Sequence, residues 1–231
     1  FAVMSVGVRP NSELAKAAGL ELGPRGHIVT DEFLCTSDPA IYAAGDVVEV
    51  ADPVTGGRTA IPLAGPANKQ GRIAADNLAG RSSRYPGSFG AAILKIGSLA
   101  AGSVGLTERR LTQLKLDYRK IYLHAASSAG YYPGGAMLDM KLLFAPDGKI
   151  LGAQIVGRKG VDKRIDVIAT AMRDGVAAPA LAELELAYAP PFNTAKDPVN
   201  LAGMIAGNVL DGTSRILHAD AVPAGMFLLD V

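Results

Sequence analysis

The apolar positions of the chain divide it into two stretches of different character. Phe1–Val8 is apolar and β-favouring, and Arg9-Pro10-Asn11 breaks it. Ser12–Leu20 has helical spacing, with Asn11 or Ser12 as N-cap and Gly19 near its end. His27–Thr30 is expected as a short strand. Ile41-Tyr-Ala-Ala-Gly-Asp46 is expected as a buried strand delivering one carboxylate at its carboxyl end, where ligands bind in open α/β sheets. From about Leu63 to Leu78, Ile73, Ala74 and Leu78 share a helical face, and Gly80 suits the C′ position.

Arg81–Gly90 is polar and carries Gly and Pro, a candidate boundary. Beyond it the pattern turns to strands at Ala92–Ile96, Ala100–Val104 and Tyr118–His124. Thr107 is placed to cap a helix, although Arg110 stands where a capping box would have Glu. Leu138–Phe144 and Ile150–Val156 flank Ala-Pro-Asp-Gly-Lys, which predicts a hairpin. Asp162–Asp174 predicts an amphipathic helix bearing Ile165, Ile168, Ala169 and Met172; further helices are expected near Pro179–Glu185 and Val199–Asn208. Ala224–Val231 has an apolar strand pattern. This order of elements is α+β rather than doubly wound.

Composition removes several function classes. The 231 residues are 49% hydrophobic and 19% charged with net charge +1, so nothing favours nucleic acid or a membrane surface as partner. No apolar run is long enough to span a bilayer. Phe1 is no initiator and no basic leader precedes an apolar run, so the expectation is a piece of a longer protein. A lone cysteine fits a reducing, cytoplasmic setting. Cys35 has no neighbouring cysteine or histidine and is expected as a small buried hydrophobe. His27, His124 and His218 lack metal-ligand spacing, so no metal site is expected.

The candidate chemistry begins at Gly45-Asp46. Gly45 allows close backbone approach to a ligand, and Asp46 can accept hydrogen bonds from sugar-like hydroxyls. The helix opening near Pro62–Pro66 directs its positive end at whatever is bound, which suits an anionic ring or phosphate.

Ile41-Tyr-Ala-Ala-Gly-Asp46 followed by Pro62-Leu-Ala-Gly-Pro-Ala-Asn-Lys-Gln-Gly-Arg72 resembles the second flavin-contacting motif of the pyridine nucleotide-disulfide oxidoreductases. The resemblance implies that Gly45, Asp46, Pro62, Leu63 and Ala64 contact FAD, with Asp46 on the ribityl chain. It extends through Tyr131-Tyr132-Pro133-Gly134, Gly160–Asp166 and Glu185–Phe192. It implies the remnant of an α/β FAD-binding domain over residues 1–84, an α+β dimerisation domain over 85–210 that forms a homodimer, and a linker over 211–231. Ending in Leu-Leu-Asp-Val resembles the first core strand of a rhodanese domain. Neither Gly-x-Gly-x-x-Gly loop of the family occurs, so this chain alone is expected to bind neither FAD nor NAD tightly and to be inactive.

The family's histidine-glutamate dyad is missing as well, and Glu185–Pro198 stands in its place. That points to the branch of coenzyme A-disulfide reductases, NADH oxidases and NADH-dependent persulfide reductases, which use NAD(P)H and a single catalytic cysteine that this chain lacks. In coenzyme A-disulfide members two partner-chain tyrosines lie near that cysteine. Tyr188 matches one, and the other is Tyr131 or Tyr132. Each residue also has a plainer reading: Asp46 as a turn or cap, the tyrosines as packing. Lys163, Arg164 and Lys196 are either contacts to coenzyme A phosphates or solvated and paired cations. The alternatives for the whole are an oxygen-reducing NADH oxidase and a standalone interaction module.

Overall fold

The structure, a computed structural model, describes residues 2, 4, 6–218, 221, 222 and 225. The chain divides into two compact units, Phe1–Ala92 and Ile93–Val231.

The first unit contains α1 (Glu13–Ala17), β1 (Ile28–Val29), β2 (Val48–Ala51), β3 (Arg58–Thr59) and α2 (Ala64–Leu78). β2 is central, parallel to β1 through Ile28↔Val48 and antiparallel to β3 through Val50↔Thr59. Leu34, Val48, Val50, Ala74 and Tyr85 form the core, with Tyr42, Ala43, Ala44 and Ile73 packed against it. Leu34 is fully buried at φ +66°, a costly conformation for a leucine. The Asp31 carboxylate holds that turn by accepting from the Phe33 and Cys35 N–H groups at 2.8 and 2.9 Å.

Two expected strands are absent. Ile41–Asp46 is irregular, with Tyr42 paired only in an isolated bridge to Cys35. Its polar groups are taken locally: Ile41 N–H donates to Asp38 O, and Ala43 N–H to Leu34 O. Gly45, at φ +91°, then turns the chain so that regular pairing starts only at Val48. The described residues of the first eight form no strand either, and Met4, Val6 and Val8 are exposed. A strand requires a hydrogen-bonding neighbour, and none among the described residues flanks this segment.

α1 is shorter than the Ser12–Leu20 spacing predicts, because Gly19 at φ +76° closes it. α2 ends as expected, at Gly80 with φ +80°, and Gly80 N–H donates to Asn77 O. The Asn77 side chain then binds Phe33 O and Ser83 O, each at 2.8 Å, securing the next stretch to this unit.

In the second unit β4 (Ala92–Ile96, its first residue falling in the first unit), β5 (Leu99–Gly105), β8 (Ile150–Gly157), β7 (Met137–Phe144) and β6 (Arg119–Ala126) form a five-stranded sheet in that order. The expected hairpin is β7–β8, running antiparallel from Leu138↔Gly157. α3 (Glu108–Leu114) begins at Thr107, whose hydroxyl accepts from Arg110 N–H at 3.3 Å. α4 (Val161–Arg173) packs on β5 and β8, and α5 (Pro198–Leu210) on β6. Ile165 and Ile168 of α4, and Val199, Ala202 and Ala206 of α5, are buried, as are sheet residues Ile121, Leu138, Met140 and Ile155. The helix expected at Pro179–Glu185 is instead a 3₁₀ helix, Ala178–Glu183. Leu184 N–H donates to Leu181 O in the 3₁₀ pattern, and the Asn200 amide of α5 donates to Leu181 O, Ala182 O and Leu184 O, so these last carbonyls find their partners across the chain rather than in a longer helix. Of the tail pattern Ala224–Val231, all but Gly225 lies outside the described residues.

Candidate functional site

Two groups of the sequence-predicted residues take shape, one in each unit. In the first, the Gly45–Asp46 turn lies against α2. Gly45 N–H donates to the buried Gln70 Oε1 at 2.7 Å, and a Cβ at Gly45 would sit 3.9 Å from Ala67 Cβ. Asp46 is exposed, and no described residue hydrogen-bonds its carboxylate. A cleft of about 380 Å³ beside it is lined by Arg9, Asn11, His27, Asp46 and Val47 among others. His27 Nδ1 is buried without a hydrogen-bond partner among the described residues. Burial, helped by the charge of Arg25, lowers the His27 pKa below the ordinary imidazole value. Pro62, Leu63 and Ala64 stand at the start of α2, where Leu63 is an extended N-cap without a side-chain cap. The first N–H groups of a helix lack intrahelical partners and carry its positive end; here Ala64 and Gly65 hold them.

In the second unit the structure brings Tyr131 and Tyr188 together, hydroxyl to hydroxyl at 3.5 Å. Tyr132 is not in that pair, though its N–H donates to Ala129 O and shapes the same turn. Tyr131 is 78% exposed and Tyr188 49%, so neither is a core tyrosine. The hydrogen bond with Tyr131 is the main cause that raises the Tyr188 pKa above the usual phenol value. A cleft of about 390 Å³ is lined by Tyr131, Tyr132, Gly134 and Met137 among others. Tyr188 precedes Pro190-Pro191, and Phe192 and Asn193 N–H both return to Ala189 O, making that segment a tight turn.

Arg164 is neither solvated nor free to reach a phosphate. It is 1% exposed and bound to Asp197, Asn193, Ser127 and Gly160. Its burial shows in the sequence only as one basic residue on an amphipathic helix; its partners are remote in the chain and carry no spacing signal. Lys163 Nζ lies 3.7 Å from Asp197 Oδ2, a paired cation. Cys35 is half-buried rather than buried, its Sγ toward Asp38 O at 3.8 Å. Burial first, then the charges of Asp31 and Asp38, push its thiol pKa up, the opposite of an activated thiolate. Among the described residues no cluster of His, Cys, Asp or Glu could hold a metal ion, and no helix is long and apolar enough to cross a membrane.

Residues 1–71 match the pyridine nucleotide-disulphide oxidoreductase family, and residues 92–198 match the dimerisation domain of that family. The chain belongs to this family. It is 40% identical over 200 residues to the NADH oxidase of Methanocaldococcus jannaschii, covering 87% of this chain and 44% of that protein. To the NAD(P)H coenzyme A polysulfide/persulfide reductase of Pyrococcus horikoshii it is 37% identical, over 85% of this chain and 44% of that one. The crystal structure of reduced CoADR-RHD from Bacillus anthracis superposes with a TM-score of 0.88 at 50% identity, covering 90% of this chain and 38% of that chain. The chain therefore spans less than half the length of the relatives it matches. Its mixed helix-and-sheet architecture, part of an α/β FAD-binding region followed by the family's α+β dimerisation domain, agrees with both family matches.

Proposed function

We propose that this chain forms the C-terminal part of a homodimeric, FAD- and NAD(P)H-dependent reductase of coenzyme A disulfide or of persulfide sulfur. The observation that carries the reading is the Tyr131–Tyr188 pair, two exposed phenols held 3.5 Å apart on irregular segments of the dimerisation domain. For the disulfide the balance is one disulfide, one NAD(P)H and one proton giving two coenzyme A thiols and NAD(P)⁺. The S–S bond breaks when a protein thiolate attacks one sulfur, and the departing coenzyme A thiolate takes a proton. A phenol is both donor and acceptor, so Tyr188, recharged through Tyr131, is suited to hold that sulfur and supply the proton. Across a homodimer the pair would serve the partner's site. The surroundings of Cys35 oppose ionisation, so the reading assigns the attacking thiolate to a cysteine outside these 231 residues.

FAD fits the first unit. Gly45 turns beside α2 without a side chain, Asp46 presents an unshared carboxylate for hydroxyls, and Pro62, Leu63 and Ala64 present the helix start. The His27 Nδ1 left unpaired in the cleft beside Asp46 also awaits a polar partner. Bound there, FAD would supply electron transfer between a nicotinamide and sulfur. The part played by this chain is to bind the ribityl hydroxyls and to set positive potential at the ring's pyrimidine edge.

The test is Tyr188→Phe and Tyr132→Phe in the full-length protein, with coenzyme A thiol release from the disulfide as readout. Loss of a general acid costs about 10²–10⁴-fold in turnover, and that loss is expected for Tyr188→Phe; Tyr132→Phe should stay near the parent rate. Undiminished thiol release from Tyr188→Phe overturns the reading. The resemblance to the Methanocaldococcus jannaschii NADH oxidase favours a second reading, oxygen as acceptor. Oxygen uptake that outruns thiol release in the full-length protein would select it.

A further inference from the structure

Arg164 lies early in α4 with its side chain 1% exposed, and a cation so buried is costly unless its donors are met. They are met from two loops and two helix ends. Nη2 donates to Ser127 O at 2.9 Å and to Asn193 Oδ1 at 2.8 Å. Nη1 donates to Gly160 O at 3.1 Å, and Nε to Asp197 Oδ1 at 3.4 Å. Asp197, the α5 N-cap, is equally buried and lies 3.1 Å from Nη2 in the ion pair. Space for the guanidinium is left by Gly160, where a Cβ would fall 1.9 Å from Nη1.

Ser127 opens the turn that leads to Tyr131, and Asn193 closes the segment that carries Tyr188. The two segments also meet directly, Ala129 N–H donating to Asn193 O at 3.0 Å and to Pro190 O at 3.3 Å. A single nitrogen of Arg164 thus bridges a carbonyl of one loop and a side chain of the other. We propose that Arg164 is a positioning residue for the Tyr131–Tyr188 pair, its planar guanidinium fixing in one geometry the two loops that bring the phenols together. The proposal rests on the reading that this pair serves sulfur chemistry. Lysine is not equivalent at such a site. Its point charge can stay with Asp197 but cannot span the fork of acceptors.

The experiment is a double-mutant cycle in the full-length holoenzyme: Arg164→Lys, Tyr188→Phe and the two together, reading coenzyme A thiol release. Arg164→Lys keeps a cation for Asp197, which Lys163 also approaches at 3.7 Å. Misplacing reacting groups by about 1 Å costs up to about a hundredfold, so turnover should fall about ten- to a hundredfold with KM for NAD(P)H unchanged. In the Tyr188→Phe background the same substitution should cost less than about twofold, because groups acting as one unit are non-additive. Equal losses in both backgrounds overturn the proposal and leave the tyrosine reading standing.

A second readout is independent of turnover. The ultraviolet titration of each protein minus its Tyr188→Phe counterpart isolates the Tyr188 phenol. Its ionisation should move toward the ordinary range in Arg164→Lys, as it should when the partner phenol is removed by Tyr131→Phe. An unmoved titration overturns the proposal. If Tyr188→Phe leaves turnover intact, the tyrosine reading falls and this titration alone decides the positioning role. If Arg164→Lys does not fold, Asn193→Ala removes one arm while keeping the Arg164–Asp197 pair. The same non-additivity is then expected, and additivity overturns it.

Discussion

At Gly45 a single backbone angle sets what the site can tolerate. The residue sits at φ +91°, yet a Cβ there would meet only Ala67 Cβ at 3.9 Å, an ordinary contact. The cost of Gly45→Ala is therefore conformational rather than steric, about 1–2 kcal/mol for an L-residue forced into that region. Gly71, exposed inside α2 with nothing near its Cβ position, gives the opposite sign. There alanine should add about 0.5–1 kcal/mol through helix propensity and a less free unfolded chain. Urea unfolding of both variants checks the contrast, the midpoint falling for the first and rising for the second at constant slope. The need for glycine at position 45 was legible in the sequence, because Gly-Asp followed an apolar run. The choice between Tyr131 and Tyr132 was not, since neighbouring residues share one sequence context and only the fold of the turn separates their hydroxyls. Arg164 was less legible still. Beside Asp162 and Lys163 it looks like one more charge on a helix start, and Ser127, Asn193 and Asp197 converge on it only in three dimensions.

Among the elements, α3 is fastened to the sheet by one carboxylate. Glu108, in its first turn, accepts from Lys141 of β7, from Lys120 of β6 at 3.0 Å and from the Tyr118 hydroxyl at 3.0 Å. The hydrogen bond with Lys141, joined by those from Lys120 and Tyr118, outweighs burial and holds the Glu108 pKa at about 2. A carboxyl whose folded pKa is depressed stabilises the fold fully above its ordinary value. That contribution is lost as the pH falls from the ordinary value of 4.5 through about 2. Glu108→Gln should therefore be less stable than the parent at neutral pH and show a flatter loss of stability below pH 4.5, as thermal melts across that range would reveal. A parallel pair of pH profiles would refute the assignment. The sequence marked the start of α3 through Thr107, and the β7–β8 hairpin through Asp147-Gly148, because both signals are local. It erred where the outcome depended on distant chain. Ile41–Asp46 has the composition of a strand, but Ile41 and Ala43 bond to the Asp31–Asp38 loop and Gly45 to Gln70 of α2. Pro179–Glu185 has helical spacing, but it forms a 3₁₀ helix whose last carbonyls accept from Asn200.

For the whole molecule the discriminating quantity is how much of a dinucleotide these 231 residues can hold. The flavin half has its candidate contacts in Asp46 and the start of α2. The pyrophosphate ordinarily requires a Gly-rich loop with a helix N-terminus behind it, and no Gly-x-Gly-x-x-Gly occurs in the sequence. A nanomolar complex corresponds to about −12 kcal/mol, so retaining half of that leaves a Kd on the order of tens of micromolar. Such a complex does not survive gel filtration at ordinary protein concentrations. The isolated chain should thus emerge colourless after incubation with FAD, and titration with the flavin should show weak binding that Asp46→Ala weakens further. Because Asp46 is exposed and makes no hydrogen bond to a described residue, that substitution should leave the melting temperature of the apo-chain unchanged, which separates a lost ligand contact from a damaged fold. A yellow chain with near-stoichiometric flavin would instead mean that the cleft beside Asp46 and His27, together with the α2 start, holds the cofactor without a Gly-rich loop. The unpaired His27 Nδ1 would then be the first group to examine for a contact with it.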